Sequence, residues 1–470
     1  MMKVLFGSAI AMAVVSNFAV AAPNILLITA DDLNCDSVGV YGCGIDGITP
    51  HIDSIARQGA KFEHGHVTIA VCQPSRSVWM TGRYPINSGG EGFHKLKKKD
   101  VPILPQLLRD AGYSVGILGK FGHSTPHKEF SWDMQFDMKD LGMGRSPESF
   151  SLRAKKFISE AKEAKKPFFL MANSHDPHRA FYGNDNSKWY SSDDVHKRAA
   201  VPSRVYQAEE VPVPKFLPDL PEVRREVAEY FSSVKRCDDT VGAILKVLDD
   251  AGERDNTLVL FMADNGMAFP FSKTNCFYHS THTPYLMRWP GKIESGTVVS
   301  DAMVSGIDVT PTLLEAAGVK SPEGVDGQSV LPLLAGEKQK GRDRVFTQFH
   351  QTSSRKAFEM RGVQSKQFGY IYNGWSDGEK RFRNESMIGR TFKAMREAAE
   401  SHPEIAKRVD HFTRRQPEEF YDYSKDPDGL NNLIDHPEYK VQIEQFRAEL
   451  KEWMIQHQDP ELSQFQTQLQ

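Results

Sequence analysis

The run "NILLITADD", residues 24–32, is apolar through Ile25–Ile28 and then meets two adjacent carboxylates, Asp31 and Asp32. Three more runs have the same shape. "YSVGILGK" (113–120) ends in Lys120, "PFFLMANSHDPH" (167–178) ends in His175, Asp176 and His178, and "TLVLFMADNG" (257–266) ends in Asp264, Asn265 and Gly266. A continuous apolar run marks a strand covered on both faces, as in a parallel sheet. Ligands of such sheets bind beyond the carboxyl ends of the strands. Each run ends in residue types that hold a cation or an anion, and the recurrence across the runs weighs more than any one of them.

Helical segments fill the intervals. "LPQLLRDAG" (104–112) closes on Gly112, and "DVTPTLLEAAG" (308–318) carries Pro311 near its start and Gly318 at its end. In 222–250, Val227, Tyr230, Val234, Val241, Ile244 and Leu248 recur at helical spacing. The alternation predicts an α/β sandwich. Near residue 340 the character shifts at the charged connector "GEKQKGRDR". Beyond it, "FEMRGVQSKQFGYIYN" (358–373) reads as two strands with a turn, 376–416 is rich in Arg and Lys, and a last helix spans about 437–456. The expected organisation is a catalytic domain over 23–340 and a smaller α+β subdomain with an antiparallel sheet over 341–470.

The chain has 470 residues, with 40% hydrophobic and 25% charged residues, the composition of a globular protein of one large or two moderate domains. Its formal net charge of −3 argues against a nucleic-acid binder that relies on a basic surface. Residues 1–22 read as a secretory signal peptide: Lys3, the apolar "VLFGSAIAMAVV", then "AVAA" for cleavage. No later segment is apolar for long enough to span a membrane, so an exported protein without stable membrane insertion is expected, periplasmic or secreted. Export permits disulfides among Cys35, Cys43, Cys237 and Cys276, with the pairing left open. Cys237 falls inside the helical pattern and reads as a small core residue.

Asp31, Asp32, Asp264 and Asn265 are hard oxygen donors. Singly, each is a turn or cap residue. Brought together, the carboxylates repel unless a cation neutralises them, and the donor set suits Ca²⁺ or Mg²⁺ rather than a soft metal. The fifth cysteine, Cys72, opens "CQPSRSVWMTGR" (72–83). Pro74 suits the first turn of a helix, which puts Cys72 at an anion-attracting helix N-terminus with Arg76 beside it. No C-x-x-C or cysteine-protease pattern surrounds it.

This segment resembles the signature of the formylglycine-dependent (type I) sulfatases, C-x-P-S-R followed by T-G-R. Asp31-Asp32 upstream and Asp264-Asn265-Gly266 downstream follow the family's order, and "EEFYDYSKDPDGLNNLIDHP" (418–437) resembles its C-terminal segment. "SHDPHRAFYG" (174–183) and "DNGMAFPFSKTN" (264–275) are similar to the heparan N-sulfatase (sulfamidase) branch. The resemblance implies an alkaline-phosphatase-like α/β/α sandwich. It implies conversion of Cys72 to formylglycine (3-oxoalanine) by a maturation enzyme. It also implies one Ca²⁺ on Asp31, Asp32, Asp264 and Asn265 with residue 72 completing the shell, and Arg76, Lys120, His178 and Lys273 around the sulfate.

In the implied chemistry a hydrated aldehyde attacks sulfur, His178 with Lys273 protonates the leaving oxygen, and His123 is the base that expels sulfate. His94 and Arg179 are candidate substrate contacts. The chain departs from the family in two places: His123 stands one residue further from Lys120 than in the usual G-K-x-H, and Lys273 stands where the sulfamidase branch has arginine. Because lysine is a compact charge and arginine a planar fork, the expectation is an O-sulfatase acting on a sulfated glycan or polysaccharide fragment, with N-sulfoglucosamine hydrolysis as the alternative. A phosphodiesterase or phosphonate hydrolase of the same fold and a non-catalytic Ca²⁺-dependent glycan-binding protein are the remaining readings.

Overall fold

The computed structural model describes residues 22–184 and 197–469; the signal-peptide reading of 1–22 falls almost wholly outside them. Eight strands form one sheet: β1 (Asn24–Ala30), β2 (Ala60–His66), β3 (Ser114–Leu118), β4 (Met134–Phe136), β5 (Phe168–Asn173), β6 (Thr257–Ala263), β7 (Tyr285–Arg288) and β8 (Thr297–Ser305). Their order is β4-β3-β5-β1-β6-β7-β2-β8. The four apolar runs are β1, β3, β5 and β6. They are contiguous and parallel, with Leu118 beside Ala172, Thr29 beside Asn173, and Ala30 beside Ala263. Their carboxyl ends therefore share one edge of the sheet. Strand β7 runs antiparallel to both its neighbours.

Every residue of β1 is buried, and the alternation of side chains across a strand divides the core in two. Leu26, Ile28, Leu170, Val259 and Phe261 face a cluster that includes Phe157 and the predicted helical stripe of Val227, Tyr230, Val234, Val241, Ile244 and Leu248. Ile25, Leu27, Phe169, Met171, Leu258 and Leu260 face a second cluster containing Trp79, Leu104, Leu108, Val309 and Leu313. The helices Pro147–Glu163 and Pro221–Asp250 thus cover one face. Cys72–Thr81, Leu104–Asp110 and Val309–Ala316 cover the other.

Strands β9 (Val345–Gln351), β10 (Ala357–Gln364), β11 (Phe368–Asn373) and β12 (Glu418–Asp422) form an antiparallel sheet ordered β12-β11-β10-β9, with the final long helix at Lys440–Gln456. The two sheets share the first core cluster, which runs on through Phe349, Met360, Ile371 and Phe420. An isolated parallel bridge joins Ile69 to Gln348, and the Gln348 N–H donates to the Thr68 carbonyl at 2.8 Å. The second sheet is therefore attached just upstream of the helix that begins at Cys72.

All five cysteines are free thiols, Cys237 among the buried ones. No helix among the described residues is long and apolar enough to cross a membrane.

Phe261 is fully buried on the central strand β6. Its replacement by alanine is expected to lower unfolding stability by about 3–5 kcal/mol. The urea midpoint should drop while the slope of the transition stays unchanged.

Candidate active site

Asp31 and Asp32 follow β1 directly, Lys120 lies two residues beyond β3, and Asp264 follows β6. The helix Cys72–Thr81 points its N-terminus at this edge, and every one of its residues is buried. Cys72 Sγ–H donates to Asp31 Oδ1 at 3.3 Å and lies 4.0 Å from Asp32 Oδ1. One ligand atom from each of Asp31, Asp32, Cys72 and His178 falls within 4.8 Å of the others.

Arg76, one turn into the helix, is fully buried. Its Nε and Nη2 donate to Asp264 Oδ2 at 2.9 and 2.8 Å, and its Nη1 donates to Thr29 Oγ1 at 3.1 Å and Asn173 Oδ1 at 2.7 Å. The other Asp264 oxygen accepts the Asp32 N–H at 3.1 Å. Lys120 pairs with Asp31 Oδ2. Lys273 Nζ reaches both Asp32 oxygens, at 2.8 and 2.9 Å, and also pairs with Glu385. Asn265 Nδ2 donates to Asp32 Oδ1 at 2.8 Å, leaving its buried Oδ1 without a partner.

Asp32, Lys120 and Thr274 hold φ values of 65°, 50° and 66°. For residues carrying a Cβ this left-handed backbone costs on the order of 1–2 kcal/mol each. Strain of this kind is retained where surrounding structure over-determines the backbone, and it gathers at functional sites.

Electrostatics separates the carboxylates. Burial, reinforced by Asp31, raises Asp264 to about 8 against the pull of Arg76. Burial raises Asp32 to about 7 against the pull of Lys273, with Asp31 and Glu385 adding to the rise. Burial opposes ionisation of Asp31 as well, but Lys120, His178, Arg76 and Lys273 together hold it well below the ordinary carboxylate value. Two carboxylates thus retain affinity for a positive charge at neutral pH. With the hard oxygen donors and the unpartnered Asn265 Oδ1, the residues fit a hard divalent cation.

Burial and then Asp31 push the Cys72 thiol well above its ordinary value, so the unmodified side chain is no activated thiolate. Burial opposes the charge on both lysines, but their carboxylate partners, Asp31 for Lys120 and Asp32 for Lys273, raise them and keep both ammonium groups charged.

His178 is depressed to about 3 by burial and then by Lys273 and Lys120. Its Nδ1 contacts the Arg179 carbonyl at 2.5 Å, which assigns the ring proton to that nitrogen. Nε2 is left as an acceptor, 3.9 Å from Asp32 Oδ2. His123, on the short helix Phe121–Ser124, is likewise depressed to about 3 by burial and then by Lys120. It meets Phe93 edge-on at 6.0 Å, and its Nδ1 has no partner.

The two candidate substrate contacts, Arg179 and His94, have the following surroundings. Arg179 is committed to an ion pair with buried Glu226, donates to the Ala268 carbonyl at 2.9 Å and lies over the Phe181 ring. His94 lines a cavity of about 480 Å³ with Phe93, Lys97, His350 and Arg355. The His94 carbonyl accepts from Nε2 of Gln73, the residue after Cys72, at 2.9 Å.

Sequence reasoning missed Asn173 and Thr29, which orient Arg76, and the pair Asn384-Glu385. Asn384 Nδ2 donates to Thr274 Oγ1 and lies 3.4 Å from the Lys273 carbonyl. The polar positions at the ends of β1 and β5 were the available signal for Thr29 and Asn173. Nothing in the local sequence around 384 distinguishes it.

The family model described as "Sulfatase" matches residues 23–319, and that of the C-terminal part of N-sulphoglucosamine sulphohydrolase matches 268–379. The chain belongs to the sulfatase family and is a sulfuric ester hydrolase. It is 30% identical to the human N-sulphoglucosamine sulphohydrolase, over 93% of this chain and 91% of that one. It is 27% identical to an ulvan-active sulfatase of Formosa agariphila, over 92% of this chain and 80% of that one. Among solved structures, one of a protein in complex with its substrate D-glucosamine-2-N,6-O-disulfate superposes with a TM-score of 0.70 at 18% identity, covering 93% of this chain and 99% of that one.

The raised carboxylates give a signed prediction for the metal-free protein. Asp32 at about 7 and Asp264 at about 8 stand above the ordinary 3.8, so the folded state binds more protons than the unfolded state up to about pH 8. Stability then falls as pH rises through that window. Histidines depressed by burial act in the opposite sense, but only below about pH 6.5. In chelator, the melting temperature should therefore decline from pH 7 to pH 9. Excess Ca²⁺ should remove the decline, and its binding should release protons.

Proposed function

We propose that the protein is an exported, formylglycine-dependent sulfatase that releases sulfate from a sulfated glycan or polysaccharide fragment. The observation that carries this is the convergence of Cys72, within its C-x-P-S-R segment, with Asp31, Asp32, Lys120, His178 and Lys273 at one sheet edge. Cys72 is the site of oxidation to formylglycine by a maturation enzyme. Once formed, the group supplies, as its hydrate, an oxygen nucleophile and a second hydroxyl through which the product ester is resolved. Asp31, Asp32, Asp264 and Asn265 hold one Ca²⁺, which supplies Lewis-acid stabilisation of a sulfuryl oxygen.

The remaining chemistry falls to the chain's own residues. Lys120 and Lys273 are cationic and nearly inaccessible to water, so they stabilise charge developing on the sulfuryl oxygens far better than they would in solvent. Arg76 is turned to Asp264, Thr29 and Asn173, and it acts by fixing the helix N-terminus. A sulfate ester beside Nε2 of His178 places negative charge there and raises its proton affinity. Nε2 then takes up a proton from solvent as the substrate binds and passes it to the departing sugar oxygen as the S–O bond breaks, returning to the neutral ring. His123, neutral and with a free nitrogen, is the base of the second half-reaction. The antiparallel sheet beyond residue 340 is proposed as the smaller subdomain that rims the pocket.

The substrate is read as an O-sulfate, from the compact charge at Lys273. The match of 268–379 to the N-sulphoglucosamine sulphohydrolase C-terminal model favours N-sulfoglucosamine as the second reading.

Mature enzyme should show the peptide containing residue 72 lighter than the cysteine form by about 18 Da. Cys72→Ala should keep the fold while losing about a thousandfold or more of turnover, and Lys120→Ala should lose about a hundredfold. Sulfate release from O-sulfated oligosaccharides and from N-sulfated glucosamine, compared at equal concentration, should favour the former. The reverse order establishes the N-sulfate reading.

A further inference from the structure

Glu385 is the acidic residue that the four strand ends do not explain. It opens the short helical turn Glu385–Ile388, beyond both stretches matched by the family models. Asn384, held by Thr274 and itself accepting from Ser386 Oγ at 2.7 Å, pins the backbone there against the segment that carries Lys273. The Glu385 side chain retains 14% exposure, against 1% for Lys273, which it pairs with through Oε1. Apart from Lys273, that oxygen has no hydrogen-bond partner. Lys273 is already satisfied by both oxygens of Asp32.

A second carboxylate on the same ammonium adds negative charge to a pocket whose substrate is an anion. Charge pairing alone therefore does not account for it. A carboxylate accepts strong hydrogen bonds from hydroxyl and ammonium donors and repels anions.

Resting on the sulfatase reading above, we propose that Glu385 is a specificity-determining residue that accepts a hydrogen bond from a hydroxyl or ammonium group beside the scissile sulfate. It thereby selects saccharides with a free donor at the neighbouring ring position over those with a second sulfate there. One carboxylate oxygen stays with Lys273 and the other serves the sugar. The same charge weakens retention of the sulfate dianion, the product that must leave after each turnover.

The test uses the mature full-length enzyme, its Glu385→Gln variant and two matched monosaccharide sulfates that differ only in carrying a hydroxyl or a sulfate at the adjacent position. Wild type should favour the hydroxyl substrate in kcat/KM by tenfold or more, the worth of about one charge-assisted hydrogen bond. Glu385→Gln should shrink that preference several-fold, and Glu385→Asp should restore part of it. Calorimetry with inorganic sulfate should show tighter binding to Glu385→Gln than to wild type. If the variant slows both substrates equally and the ratio holds, Glu385 only positions Lys273 and the proposal is overturned. A wild-type preference for the disulfated sugar overturns it as well. A wild type that releases no sulfate from either sugar or from an aryl sulfate defeats the sulfatase reading itself, a result distinct from an unchanged ratio. Should Glu385→Gln not fold, the wild-type preference and the Glu385→Asp ratio decide the question.

Discussion

The ion pair between Arg76 and Asp264 is the contact on which the site depends. Both side chains are fully buried, and the guanidinium also bonds Thr29 and Asn173. One side chain thus ties the helix to three adjacent strands, β1, β5 and β6. Such a pair is expensive to desolvate, and removal of one member typically costs about 3–5 kcal/mol because the other charge is left buried and alone. Its value is geometric. It holds the helix N-terminus at a fixed height above the sheet edge, and Cys72, four residues before Arg76, comes to rest against Asp31. A hydrophobic contact would hold the helix as firmly without fixing its rotation.

With that helix fixed, the charges must be balanced in a confined volume. Asp31, Asp32 and Asp264 face Lys120, Lys273 and Arg76 in a lattice of direct contacts. The balance is uneven: Asp31 is drawn well below the ordinary carboxylate range while Asp32 and Asp264 are raised. Burial, reinforced by the same lysines, keeps His178 and His123 neutral. Neutral imidazoles beside fixed ammonium groups suit the proposed division of labour, in which the lysines stabilise charge and the histidines move protons. The left-handed backbone at Asp32 belongs to this design, since it turns Asp31 and Asp32, consecutive side chains, into the site where an extended strand would point one of them away.

Much of this was legible in the sequence because it is local. A strand buried on both faces must be apolar throughout, so β1, β3, β5 and β6 stood out, and polar residues at their ends could only be turns or site. Pro74 marked the first turn of the helix that carries Cys72, which runs from Cys72 to Thr81. The antiparallel insertion of β7 was not legible. Its four residues, Tyr285–Arg288, are too few to show a period, and strand direction depends on chain reversal rather than composition. The surroundings of Arg179, a candidate substrate contact, were not legible either. Its guanidinium turns to Glu226, a residue on the long helix, and local sequence carries no trace of a partner that far along the chain.

That partnership explains how the far end of the chain reaches the pocket. Glu226 bonds Arg179 with one oxygen and accepts the backbone N–H groups of Arg390 and Thr391 at 3.1 and 2.8 Å. Those N–H groups lie at the start of the helix Arg390–Ala398, where they have no partner within the helix. The carboxylate thus caps that helix from another part of the fold and carries favourable charge to its N-terminus. Five residues upstream of Arg390 is Glu385, against Lys273. Arg179, next to the catalytic candidate His178, is therefore coupled to the segment that delivers Glu385 through a single buried carboxylate. The loop after β5 and the C-terminal part of the chain meet there, so a change at Arg179 is expected to reach the pocket by releasing that anchor.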